Sequence, residues 1–238
     1  MPLPKLWSIL EGRKKERGNS MKFACAIFDL DGTLVDSQKM WTMAKTKVLE
    51  DRGMVLSEQQ RLAIMSMEFP EITHHLSRDW PTGLTPQQVE EEILATMAYH
   101  YAQTIPPKKG APELLQQLHD MGIPCCLATA SWERMFLPLL QRLGLDRLLD
   151  HIVTAHMVGR NKHFPDVYLE AARRCGASPE HTVVFEDSGY SVKAAKQAGF
   201  RVVGITEPTS DGDDRQMRAM CDWVIDDFTQ LPADFWQN

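Results

Sequence analysis

Short apolar runs separated by helical patterns organise most of the chain. Phe23–Phe28, Ile123–Ala128, His151–Ala155, Thr182–Phe185, Arg201–Ile205 and Trp223–Ile225 read as strands. Their apolar content is nearly continuous instead of alternating, as expected for strands buried on both faces. Between them lie helical patterns at Ala111–Met121, Ser131–Leu143, Pro165–Cys175 and Tyr190–Ala198, each followed at once by a glycine (Gly122, Gly144, Gly176, Gly199). That alternation predicts a parallel sheet covered on both faces.

The stretch from 38 to 102 breaks the pattern, because no strand is legible in it. Gln38–Arg52 reads as a helix stopped by Gly53. Ser57 with Gln60 forms a capping-box signature, Pro70 and Pro81 break the later segments, and Thr85-Pro86 reads as the N-cap and first residue of a helix reaching about Tyr101. Ile105-Pro106-Pro107 is a stiff connector back to the α/β pattern. The predicted fold is α/β, a Rossmann-like parallel sheet core with an all-helical cap inserted after the first strand. The expected divisions are an N-terminal extension (1–20), a core (21–36 and 104–238) and a cap (37–103). A block inserted at the C-terminal end of a strand sits where a lid would sit.

The polar residues at the strand ends carry the chemistry. The first strand runs straight into Asp29 and Asp31, followed by Gly32-Thr33. In an open α/β sheet the C-terminal ends of the strands are where ligands bind. Two carboxylates held there repel one another unless a cation lies between them, and hard oxygen donors favour Mg²⁺. The strand ending at Phe185 repeats the theme with Glu186-Asp187-Ser188-Gly189. One such pair could serve a helix N-terminus, but two pairs on one sheet edge would be strongly destabilising without a metal. Thr129-Ala130-Ser131 ends the second strand just before a helix, where a hydroxyl and free amides can bind an anion or simply cap the helix. Lys162, in the loop Arg160–Asp166, can reach a phosphate or a carboxylate, or be a solvated surface lysine. Asp166 charges the first turn of the next helix.

Composition narrows the partners. A net charge of −6 on 238 residues leaves no basic surplus for nucleic acid. No apolar run approaches the length of a membrane span, and residues 1–20 lack the apolar core of a signal peptide. Cys25, Cys125, Cys126, Cys175 and Cys221 have no metal-ligand spacing, and three lie in apolar runs, which suits reduced thiols in a cytoplasmic protein. His74, His75, His151 and His156 read as structural or surface residues, and Asp211–Asp214 as a solvated turn. No glycine-rich nucleotide fingerprint is present. The default oligomeric state is a monomer.

These residues together resemble the haloacid dehalogenase-like hydrolase superfamily, over about residues 21 to 230. The motifs are Asp29-Leu30-Asp31-Gly32-Thr33, then Leu127-Ala128-Thr129-Ala130-Ser131, then Lys162 ahead of Pro165-Asp166, and Glu186-Asp187-Ser188 with Gly189 and Ala194-Ala195. The helical insertion is similar to the cap of the subgroup containing β-phosphoglucomutase and many small-molecule phosphatases. The resemblance implies Asp29 as the nucleophile that forms an aspartyl-phosphate, and Asp31 as the general acid and then base. It implies Mg²⁺ on the Asp29 and Asp187 side chains and the Asp31 backbone carbonyl, with Glu186 contributing directly or through water. Thr129, Ala130 and Lys162 would bind the phosphoryl oxygens, and Trp41 could stack on a sugar or serve as a core residue of the cap helix. Two departures stand out. His163 follows the lysine where the family has proline, and Trp41 stands where the mutase has histidine. The cap motif that grips a second phosphate is also not recognisable in Met65–Ile72. The expected activity is therefore Mg²⁺-dependent hydrolysis of a small phosphomonoester, a sugar or polyol phosphate. A sugar-phosphate mutase and a non-catalytic phosphate-binding protein are the alternatives.

Overall fold

A computed structural model of the protein describes residues 21–67, 69, 71–206 and 214–237. Six parallel strands, β1 (Cys25–Phe28), β2 (Cys125–Thr129), β3 (His151–Thr154), β4 (Thr182–Glu186), β5 (Arg201–Ile205) and β6 (Trp223–Ile225), form one sheet in the order β3-β2-β1-β4-β5-β6. The register runs Ala26↔Cys125 to Phe28↔Leu127 on one side of β1, and Cys25↔Thr182 to Phe28↔Phe185 on the other. The chain winds outward in one direction through β2 and β3 and in the other through β4 to β6. The β1/β4 boundary is thus a topological switch point, the place where such sheets open a crevice.

Every residue of β1, β2 and β4 is buried. Ala26, Phe28, Leu127, Val183 and Phe185 point into one core, with Phe28 stacked on Phe185 at 4.7 Å between ring centroids. Cys25, Ile27, Cys126, Ala128 and Val184 point into the other. Successive residues feed opposite cores, so each strand needs apolar residues throughout. The first core is closed by Leu114, Leu115 and Leu118 of α5 (Ala111–Met121) and by Phe136, Leu139 and Leu140 of α6 (Glu133–Leu143). The second is closed by Val167, Tyr168, Ala171 and Ala172 of α8 (Asp166–Arg174) and by Val192 and Ala195 of α9 (Gly189–Gln197). Gly122 and Gly144 are the C-caps expected of α5 and α6. All five cysteines are free, and Cys25, Cys125 and Cys126 are buried.

Among the described residues, the insertion between β1 and α5 holds four helices: α1 (Gln38–Glu50), α2 (Glu58–Ser66), α3 (Glu71–Arg78) and α4 (Pro86–Gln103). Both expected N-termini are present as full capping boxes, Ser57 with Gln60 and Thr85 with Gln88. Helix α3 has no counterpart in the sequence reading, which saw only a segment interrupted by prolines. Pro81 lies beyond its end. Two other helices, α7 (Ala155–Val158) and α10 (Asp214–Met220), were also not anticipated. The two chain segments that leave and rejoin the sheet pair with each other. Val35 bridges Pro107 in antiparallel sense, the Asp36 amide donates to the Pro106 carbonyl at 3.0 Å, and the Lys108 amide donates to the Leu34 carbonyl at 2.9 Å. Arg142 of α6 adds hydrogen bonds to the carbonyls of Tyr101 (3.3 Å) and Ile105 (2.5 Å). No helix among the described residues is long and apolar enough to cross a membrane. The expected extension over residues 1–20 and most of the expected turn at 211–214 lie outside the described residues, and Asp214 begins α10.

Candidate active site

Three strand ends meet at the switch point. β1 delivers Asp29, whose amide donates to the Phe185 carbonyl of β4 at 3.0 Å. β4 delivers Glu186 and then Asp187, and β2 delivers Thr129. Oxygens of Asp29, Glu186 and Asp187 all lie within 4.8 Å of one another. Lys162 comes from the loop before α8, and only 4% of it is exposed. Its Nζ donates to Asp29 Oδ1 at 2.5 Å and to Glu186 Oε1. Lys162 is therefore a buried ion-pair partner and not a solvated surface lysine.

Glu186 accepts from donors on both oxygens. Besides Lys162, the Tyr168 hydroxyl donates to Oε1 at 2.6 Å. The amides of Asp187 (3.0 Å) and Ser188 (3.2 Å), and the Ser188 hydroxyl (3.3 Å), donate to Oε2. Its lone pairs are largely committed to holding Lys162 and the β4–α9 turn. Asp29 and Asp187 are the carboxylates with more capacity left for an ion.

Electrostatics lead to the same place. Burial, reinforced by Glu186 and Asp31, lifts the Asp29 carboxyl to about 7 against the pull of Lys162. Burial and the Asp29 and Glu186 carboxylates push Asp187 well above the usual range. Burial opposes the Lys162 charge, but Asp29 and Glu186 outweigh it and hold the ammonium well above the ordinary lysine value. One ammonium thus faces three clustered carboxylates, an excess of negative charge that protonation or a divalent cation must relieve. An all-oxygen donor set of this kind fits Mg²⁺, and Asp29 and Asp187 would be its side-chain holders.

Gly32 explains the glycine of the first motif. Its φ is +85°, and a Cβ there would stand 2.0 Å from Asp187 Oδ2. The chain must turn in the left-handed region and leave room for a carboxylate from another strand. Asp187 Oδ2 is held instead by Gln38 Nε2 at 2.7 Å, from the first turn of α1.

Asp31, two residues from Asp29, has different company. Oδ1 accepts from Ser37 Oγ (2.7 Å), Trp41 Nε1 (3.1 Å) and the Tyr101 hydroxyl (2.5 Å), and Oδ2 accepts from Ser131 Oγ (2.6 Å). Its side chain is outside the acidic cluster. Trp41 is half-buried, packs edge-on against Phe69 and Tyr101, and spends its indole N–H on Asp31. Thr129 is buried, and its Oγ1 accepts from the Ser131 amide at 3.0 Å. Neither hydroxyl caps α6, which starts later than expected, with Trp132 as N-cap and no side-chain bond. Ala130 is exposed beside them. His163 stacks on Tyr190 at 4.3 Å. His75 bonds Asp79 and Trp80, and His156 packs on Trp132, so these histidines have local structural partners. Asp166 sits in the first turn of α8, opposite Arg160 at 3.6 Å.

Sequence reasoning did not assign Ser37, Gln38, Tyr101, Ser131 or Tyr168 to this constellation. The first two lie within five residues of the opening motif, and Ser131 follows Thr129 by two residues, so proximity to a motif was a usable signal. Tyr101 and Tyr168 lie in helices among apolar neighbours and carry no local signature.

Comparison with known proteins identifies the family. Residues 26–205 match the haloacid dehalogenase-like hydrolase family. A Drosophila melanogaster protein named probable pseudouridine-5'-phosphatase is 32% identical over 199 residues, covering 79% of this chain and 83% of that one. Hexitol phosphatase B of Escherichia coli K12 is 28% identical over 211 residues, covering 87% and 94%. A family hydrolase from Deinococcus radiodurans, solved with bound phosphate and sodium, has a TM-score of 0.67 and 28% identity, covering 87% of this chain and 92% of that one. With a family match spanning the sheet from β1 to β5, the chain belongs to the haloacid dehalogenase-like hydrolase family.

Proposed function

We propose that this protein is a Mg²⁺-dependent phosphatase that hydrolyses a small phosphorylated sugar or polyol in the cytoplasm, with residues 37–103 as the cap over its active site. The observation that carries the reading is the separation of two neighbouring aspartates. Asp29 lies in the charged cluster with Lys162, while Asp31 lies among four neutral donors. A two-step phosphoryl transfer needs one carboxylate to attack and another to move protons.

In the first step an Asp29 oxygen attacks phosphorus, the bond to the leaving alcohol breaks, and Asp31 gives its proton to the departing oxygen. In the second, water attacks the aspartyl-phosphate, Asp31 takes the water proton, and Asp29 is released with inorganic phosphate. Lys162 holds Asp29 in place and, with the Thr129 hydroxyl and the loop amide of Ala130, offers donors to the phosphoryl oxygens. Mg²⁺, when bound by Asp29, Asp187 and the Asp31 carbonyl, supplies positive charge that offsets the repulsion between carboxylate and phosphate. The substrate class is supported by relatives named as phosphatases of hexitol, fructose 1-phosphate and glycerol 3-phosphate.

The test is phosphate release from a panel of phosphorylated sugars and polyols, with and without Mg²⁺. Hydrolysis that requires Mg²⁺ and disappears in Asp29→Asn is expected. Interconversion of sugar-phosphate isomers without net phosphate release would replace the reading with a mutase. Phosphate binding without turnover would replace it with a binding protein.

A further inference from the structure

Tyr101 has a position that burial alone does not explain. It stands in the last turns of α4, is fully buried, and packs edge-on against Trp41 at 6.4 Å. Its hydroxyl donates to Asp31 Oδ1 at 2.5 Å and lies 3.3 Å from Ser131 Oγ, which itself donates to Asp31 Oδ2 at 2.6 Å. Tyr101 and Ser131 therefore hold the two oxygens of one carboxylate and touch each other, a closed triangle that fixes the side-chain torsions of Asp31. A buried phenol costs free energy unless it is bonded, and a phenylalanine would fill the same space without that cost. Among the four donors, the serine hydroxyls can rotate and Trp41 is half-buried. Tyr101 is the rigid, fully buried one.

We propose that Tyr101 is a positioning residue for phosphoryl transfer, its hydroxyl setting the Asp31 carboxyl at the angle from which a proton reaches the leaving oxygen. The proposal rests on the reading in which Asp31 is the acid and base. A group that acts by aiming a proton matters most when the leaving oxygen is strongly basic. It matters little when the leaving group departs unaided.

The test compares Tyr101→Phe with the parent enzyme in single-turnover release of alcohol, using glycerol 3-phosphate and p-nitrophenyl phosphate with Mg²⁺. Thermal melting checks the fold. The expected result is a loss of about 10–100-fold for glycerol release, less than about threefold for p-nitrophenol release, and KM values unchanged within about twofold. In Asp31→Asn, adding Tyr101→Phe should cause no further loss, because Tyr101 acts through the carboxyl. Equal losses on both substrates, no loss on either, or a further loss in the double variant would overturn the proposal. The two readings fail separately. If Asp31→Asn itself shows no dependence on the leaving group, the assignment of Asp31 falls. If Asp31→Asn shows it and Tyr101→Phe does not, only the role of Tyr101 falls.

Discussion

The floor of the site and the helices above it solve different problems. The floor, made by the ends of β1, β2 and β4 with the Lys162 loop, concentrates charge. Asp29, Glu186 and Lys162 are all buried there and neutralise one another only in part. The helical insertion contributes uncharged donors instead: Ser37, Gln38, Trp41 and Tyr101. The ion pairs within it, such as Lys47–Asp51 and Arg61–Glu50, face solvent. Its buried Lys45 turns its ammonium to the carbonyls of Met65 and Met67 at the end of α2. Charge that must act on phosphorus is thus mounted on the rigid sheet, whereas the insertion orients groups without altering the charge balance. Changes to the floor should therefore alter chemistry, and changes on the solvent side of the insertion should alter stability.

The largest expected effect is Asp29→Asn, which should lower kcat by about four orders of magnitude or more while the protein still folds. Removing a carboxyl that burial has pushed up to about 7 relieves strain in the metal-free state. Melting of the metal-free variant at pH 8 should be no lower than that of the parent. A marked drop would mean that Lys162 needs Asp29 more than the cluster suffers from it.

Next comes Gly32→Ala. The new Cβ must displace Asp187 or bend the turn, and either should weaken Mg²⁺ activation by about 10–100-fold, read from Mg²⁺ titrations of initial rate. Unchanged activation would show that Asp187 can be moved without consequence.

The Asp29 shift also sets a pH dependence. Its folded-state value lies above the ordinary carboxylate range, so in the absence of metal stability falls as pH rises towards about 7. The ionised form is the one that holds Mg²⁺, so Mg²⁺ binding should strengthen as pH rises and weaken by about tenfold per unit below about pH 7. Thermal shifts with and without Mg²⁺ between pH 5.5 and 8.5 measure this. A flat response would remove Asp29 from the ligand set.

The smallest expected effect lies above the floor. Arg52 bonds both Glu92 oxygens, at 3.0 and 2.7 Å, as well as the carbonyls of Val48 and Thr82. This pair is partly exposed, so Arg52→Met should cost about 1 kcal/mol, seen in urea melts, and leave kcat within about twofold. A large loss of activity would show that the two regions are less separable than their charges suggest.

Much of this was legible because it depends on local rules. Strands buried on both faces must be apolar throughout, so β1, β2 and β4 declared themselves, and the glycines after α5 and α6 marked their ends. The acidic pairs stood out because carboxylates rarely follow directly on a buried strand. What stayed hidden depends on reach across the fold. The Tyr101 hydroxyl meets Asp31 from 70 positions away, and Ser131 meets it from 100. On a helix, Tyr101 looks like any core aromatic. For the hydroxyls of Thr129-Ala130-Ser131 the sequence leaves anion binding and helix capping both open, and α6 begins at Glu133, which leaves Ser131 for other use. Trp41 was expected to stack on a sugar or pack in the cap. Its ring does pack on Phe69 and Tyr101, but its N–H has a destination no helical phase could reveal.

A short ribbon joins Leu34–Asp36 to Pro106–Lys108. It brings the two ends of the helical insertion together with backbone hydrogen bonds that do not depend on what lies between them. The entropy of closing a flexible loop grows only slowly with its length, by about 0.6 kcal/mol per doubling. Seen from the sheet, the insertion is an interchangeable cassette held at a clasp. A lineage could lengthen, shorten or replace it while Asp29, Lys162 and the acidic pair after β4 stay where the strands put them.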